Sequence, residues 1–90
     1  MIKMPLRLRK NGFTYIQVCR DDKRALYAQT VSSELTYYEV FKIRIRPEGI
    51  FKGKLILSGE VFPGNEAFGV TAWTYNSLEK ALDKFNSLPK

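Results

Sequence analysis

The chain contains no histidine and a single cysteine, Cys19. One cysteine cannot form an intrachain disulfide, which points to a reducing compartment. Without histidine, the usual zinc sets and the Cys-His nucleophile pair are excluded. No stretch approaches the roughly 20 apolar residues that a membrane span requires. The opening segment MIKMPLRLRK has no apolar run long enough for a secretory signal. These absences describe a cytoplasmic protein that does not enter the membrane. The acids are scattered, and the one adjacent pair, Asp21-Asp22, lies beside Lys23 and Arg24 in a polar turn. FPGNEAFG, at 62–69, is rich in Gly and Pro but lacks the Lys-Ser/Thr of a phosphate-binding loop. No catalytic residue, cofactor or metal site is therefore expected.

What the chain does have is charge of one sign, unevenly placed. Its 90 residues are 44% hydrophobic, 13% aromatic and 27% charged, with a net charge of +6. Residues 1–54 carry twelve Lys/Arg against five acids, whereas residues 55–90 carry three against four. A basic N-terminal half suits an anionic partner, while a solvated basic surface accounts for the same count without one. Ninety residues make one domain with a thin core, which oligomerisation would help to bury.

Local patterns predict several strands followed by one helix. Asn11-Gly12 favours a two-residue hairpin turn between Leu6–Lys10 and Phe13–Arg20. Asp21–Lys23 is a turn, Arg24–Val31 a strand, and residues 32–35 a connection. The next strand, about 36–46, alternates almost perfectly in YYEVFKIRIRP. Tyr37, Phe41, Ile43 and Ile45 share one parity, assigned to the core and the helix. Tyr38, Val40, Lys42, Arg44 and Arg46 share the other. Glu39, on the core parity, is expected near the strand's open end. PEG at 47–49 ends the strand and is expected to turn it into a further strand at 51–58. Phe51, Leu55 and Leu57 would then face the core, with Lys52 and Lys54 beside Arg44 and Arg46. Residues 59–69 read as loop. In the last strand, 68–75, Phe68, Val70 and Ala72 are expected inside, leaving Trp73 and Tyr75 for the open face, although Trp73 is large and apolar enough to be core. Leu78, Ala81, Leu82, Phe85 and Leu88 recur at helical spacing. Asn76 is placed to cap that helix, with Glu79 completing a capping box, and Pro89 to end it. Cys19 reads as a small buried hydrophobe.

The expected fold is thus α+β: a curved antiparallel sheet with one C-terminal helix on one face. Its open face would carry Arg7, Arg9, Tyr38, Lys42, Arg44, Arg46, Lys52, Lys54, Trp73 and Tyr75. Cations follow a phosphate backbone and aromatic rings stack on unpaired bases, so this face suits single-stranded DNA or RNA. A homodimer is expected, with Leu78, Leu82 and Phe85 shared between core and interface. The competing reading is a protein-interaction module or an inhibitor of a host protein, presented by FPGNEAFG and the exposed aromatics.

Two resemblances accompany this reading. The strings RKNGFTYIQVCR, FPGNEAFGVTAW and SLEKALDKFNSL resemble a set of small uncharacterised proteins of bacterial mobile elements and bacteriophages, which implies no activity and no site residues. The order of strands and helix is similar to the Pur-alpha repeat and to the transcriptional-coactivator and Whirly single-strand DNA-binding domains. That likeness implies a homodimer whose curved sheets hold the strand and whose helices form the interface.

Overall fold

The computed structural model describes all 90 residues and has an α+β architecture. Five antiparallel strands form the main sheet in the order β1 (Arg7–Lys10), β2 (Phe13–Arg20), β3 (Arg24–Ser32), β4 (Leu35–Lys42) and β9 (Ala72–Tyr75). Two short ribbons lie between β4 and β9 in sequence. β5 (Arg44–Arg46) pairs with β8 (Gly59–Val61), and β6 (Gly49–Phe51) pairs with β7 (Lys54–Ile56). The helix α1 (Leu78–Ser87) packs on β3, β4 and β9. No helix is long and apolar enough to cross a membrane.

The β1–β2 hairpin turns where expected. Asn11 and Gly12 both have positive φ (55° and 83°), the pairing that matches the twist of the flanking strands. β2 carries a bulge between Gln17 and Cys19, which leaves Val18 as the extra residue. β3 and β4 run in unbroken register from Arg24 opposite Lys42 to Thr30 opposite Thr36, which sets the two faces of the sheet, before a second irregularity between Thr30 and Ser32.

Over β3, β4 and β9 both faces are covered, so the face opposite the helix is not the open one expected. On one face Tyr15, Ala25, Tyr27, Phe41 and Ala72 form a core with Met4 and Ala67, and Phe62 packs against it. Phe62 plugs this face, its ring centroid 4.9 Å from Tyr15, 5.3 Å from Tyr27 and 5.1 Å from Phe41. On the other face Leu26 and Val40 pack with Ala81, Phe85 and Leu88 of α1. The helix therefore lies on the Val40 parity, not on the Phe41 parity. Each parity of β4 has its own apolar cover, because Val40 needs burial as much as Phe41 does.

Other local expectations are corrected in the same way. The strand of 36–46 breaks at Ile43: β4 stays in the sheet while β5 leaves to join β8. Residues 51–58 are not one strand, because the chain reverses at Lys52-Gly53, both with positive φ (52° and 76°). Ile45, Phe51, Leu55 and Leu57, expected in the core, are exposed, and so is Val70. The last strand begins only at Ala72, after a 3-10 turn at Asn65–Ala67. Helix α1 is capped one residue later than expected: Ser77 Oγ accepts the Lys80 amide.

Candidate nucleic-acid interface

The expected site residues are distributed over three places. Tyr38, Trp73 and Tyr75 are half-buried partners of the helix-side core, so α1 covers the proposed aromatic platform. Tyr38 is paired with Tyr75, and Lys84 Nζ sits 4.0 Å from the Trp73 ring centroid. Lys42 is exposed at the end of β4, opposite Arg24. Phe85, expected to be shared with an interface, is buried in the chain's own core, whereas Leu82 is half-buried and Leu78 exposed.

Arg7 and Arg9 form a second group on the edge strand β1. Their partners Ile16 and Thr14 stand across β3 residues Ala28 and Thr30, which places both arginines on the helix side of the sheet, beyond the edge of α1. With Lys10 they make three cations in a four-residue edge, a composition that also discourages edge-to-edge pairing.

The third group is the ribbon 44–61. Arg44 and Arg46 are two residues apart and share a face of β5 with Val61 of β8. They line an open concavity of about 370 Å³ with Ile45, Pro47 and Val61. Arg46 Nη2 crosses β8 to donate to the Leu57 carbonyl at 3.1 Å. Gly59 leaves room for that crossing: a Cβ there would come 3.3 Å from the Ile2 carbonyl oxygen and 3.4 Å from Arg46 Nη2. Beyond this face the β6–β7 hairpin carries Lys52 in its turn and Lys54 opposite Phe51, so these lysines pair within their own hairpin and not beside the arginines. All four cations are exposed, and none forms an ion pair within the chain. The hairpin exposes apolar groups on both faces. Ile50 and Leu55 share one, at 78% and 64% exposure, and Phe51 stands on the other at 62%.

The ribbon is fixed to the body by charges that the sequence pattern did not single out. Glu60 of β8 accepts from Arg20 of β2 through both carboxylate oxygens, one contact being 2.6 Å, and from the Met4 amide at 2.9 Å. The Arg20 guanidinium, with the Met4 amide assisting, holds the Glu60 carboxyl down at about 2. Ile2 adds a backbone bridge to Gly59. At the same end of the sheet, on the helix side, Arg24 is buried. It donates to Asp21 at 2.7 Å and to the Phe85 and Leu88 carbonyls, which closes the C-terminus of α1. Its guanidinium also lies 4.3 Å from the Phe85 ring centroid.

Glu39 is the remaining surprise. It lies within β4, paired with Tyr27 and Thr74, buried on the Phe41 face with Oε2 lacking any hydrogen-bond partner. Burial pushes its carboxyl up to about 7. The parity that placed Glu39 among core residues was the signal; assigning it to a strand end was the error. No group of three or more His, Cys, Asp or Glu is positioned to hold a metal ion.

Compared with known proteins, the chain matches no family model, no curated protein and no solved structure.

Proposed function

We propose that this protein is a non-enzymatic, cytoplasmic single-stranded nucleic-acid-binding protein whose contact surface is the ribbon 44–61. The observation carrying this reading is that Arg44, Arg46, Lys52 and Lys54 are exposed and unpaired on the same ribbon that exposes Ile50, Phe51 and Leu55. Arginines on one strand face suit a phosphate backbone. Exposed apolar groups gain little from a duplex, whose base faces are hidden, but can cover the faces of unpaired bases. Phe51 is the one strongly exposed aromatic side chain and takes the stacking role first assigned to Tyr38, Trp73 and Tyr75.

Fluorescence anisotropy with a short labelled single strand and its duplex, at two salt concentrations, tests this. Binding should favour the single strand and weaken as salt rises. Changing Arg44 and Arg46 together to Ala should weaken binding and flatten its salt dependence, because fewer counterions are released. Phe51→Ala should weaken binding with an unchanged salt slope, the loss being about 1–3 kcal/mol for one stacked base. Absence of binding at low salt would refute the reading.

A second reading rests on the aliphatic groups of the hairpin. Ile50 and Leu55 on one face suit insertion into a cleft of an acidic host protein. Such a complex would be held largely by apolar burial and would survive salt that strips a nucleic acid away.

A further inference from the structure

A different surface, away from the ribbon, is built to meet itself. Helix α1 covers β4 with parts of β3 and β9 and leaves the β1–β2 side of the same sheet face open. Ile16 lies there at 45% exposure. Ile16 pairs with Ala28 on the helix side. The flank of α1 that borders this open sheet follows from two contacts. Lys84 lies over Trp73 of the outer strand β9, so its flank faces the β9 edge, and Ala81, Phe85 and Leu88 face the core. At 100° per residue, Leu78 and Leu82 occupy the remaining flank, toward β2. Leu78 is 39% exposed.

The charges beside these apolar groups are arranged in one order. Outward from Leu78 and Leu82 on the helix come Glu79 and Asp83, both exposed and free of ion pairs. Outward from Ile16 on the sheet come Arg7, its cross-strand partner, and Arg9, likewise exposed and free of ion pairs. Across the surface the sequence is therefore acid, apolar helix flank, apolar sheet, base. Reversed, it is its own complement. A twofold axis lying in the interface, across the middle of this stripe, sets the acids of one copy over the arginines of the other. The same rotation seats the raised helix of each copy on the open sheet of its partner, the isologous arrangement of a twofold dimer.

We infer that this chain forms a twofold homodimer in which Leu78 and Leu82 of each copy cover Ile16 of the other, with Glu79 and Asp83 facing Arg7 and Arg9. The surface differs from the helix interface first expected, since Phe85 takes no part and β1–β2 supplies half of the contact. The ribbon, which carries an excess of like charge, stays free for an anionic partner.

Charge reversal with recombination tests the pairing. The full-length wild type should sediment as a dimer at tens of micromolar. R7E/R9E makes both charged margins acidic and E79K/D83K makes both basic, so each variant alone should lose affinity by at least about tenfold. An equimolar mixture should restore the dimer, since each copy then offers the other the opposite charge at both margins. Circular dichroism and melting of each variant establish that it is folded; if a double variant is not, the single variants R9E and D83K are mixed in the same way. A monomeric wild type, a dimer indifferent to both reversals, or a mixture that stays monomeric would overturn the proposal.

Discussion

The body of the sheet and the ribbon 44–61 are written in the same alternating pattern and meet opposite fates. Phe41 and Ile45 sit four residues apart on one parity of one continuous alternation. Phe41 is fully buried between Tyr27 and Phe62, whereas Ile45 is 45% exposed. Period determines which residues share a face. Whether that face is covered depends on what the rest of the chain lays over it. In the body, Phe62 and α1 supply covers for both faces. On the ribbon there is nothing comparable, and an apolar hairpin remains in solvent.

The largest expected contrast comes from deleting the matching aromatic ring in each region. Phe41→Ala should cost about 3–5 kcal/mol, the usual range for emptying a packed aromatic site. Phe51→Ala should stay within about 0.5 kcal/mol, since its ring is mostly solvated. Chemical denaturation of both variants checks this. Equal losses would mean that the ribbon is packed as tightly as the body.

Arg24→Ala follows in size. It removes the guanidinium that donates to the Phe85 and Leu88 carbonyls and to Asp21 Oδ2, at a cost of roughly 3 kcal/mol. The loss should appear first as weakened hydrogen-exchange protection in the last turn of α1, with the ribbon unaffected. Early exchange in the ribbon instead would place the weakest point elsewhere.

The two regions should also respond to pH with opposite signs. Glu39, in the body, has its carboxyl raised from 4.5 to about 7 by burial. The folded state keeps its proton where the unfolded state has lost it, so stability falls as pH rises from 4.5 to 7, by up to roughly 3 kcal/mol. Glu60, which pins the ribbon, is lowered from 4.5 to about 2 by Arg20. Its contribution is complete above 4.5 and is lost as pH falls toward 2. Stability should therefore peak near pH 4.5, and melting temperatures across pH 2–8 measure both limbs. Glu39→Gln should flatten the upper limb alone, and Glu60→Gln the lower limb alone.

The smallest effect concerns the edge. Arg9→Ala should leave stability within about 0.5 kcal/mol, because Arg9 makes only a 3.3 Å hydrogen bond to the Gly12 carbonyl within the chain. Its consequence is expected in self-association, measured by sedimentation.

Much of the fold was legible because its cause is local. Asn11-Gly12 announces its turn through the positive φ both residues tolerate, and the Leu78–Leu88 spacing announces an amphipathic helix. β2, β3 and α1 follow from such signals to within a residue or two. Of the candidate site, the grouping of Arg44 with Arg46 on one face follows from alternation and holds. The grouping of these arginines with Tyr38 and Trp73 does not, because it required β4 and β5 to remain one strand. Lys42 and Ile43 stay tied to the sheet, their amides donating to the Thr71 and Lys23 carbonyls, whereas Arg44–Arg46 pair with β8.

The fold class, the hairpin turn, the helix and the basic character of the N-terminal half follow from composition, turn geometry and residue spacing, which act over a few positions. Which face the helix takes is a matter of long-range packing. Leu26 and Val40 offer as good an apolar surface as Ala25 and Phe41, and strand periodicity is blind to that choice. Packing likewise decided that Glu39 is buried, that Glu60 holds the ribbon through Arg20, and that Tyr38, Trp73 and Tyr75 lie beneath a helix. Glu39 pairs with Thr74, Glu60 bonds Arg20 and Leu26 packs with Phe85, partners 35, 40 and 59 residues apart in the chain that meet only when the long-range packing is complete.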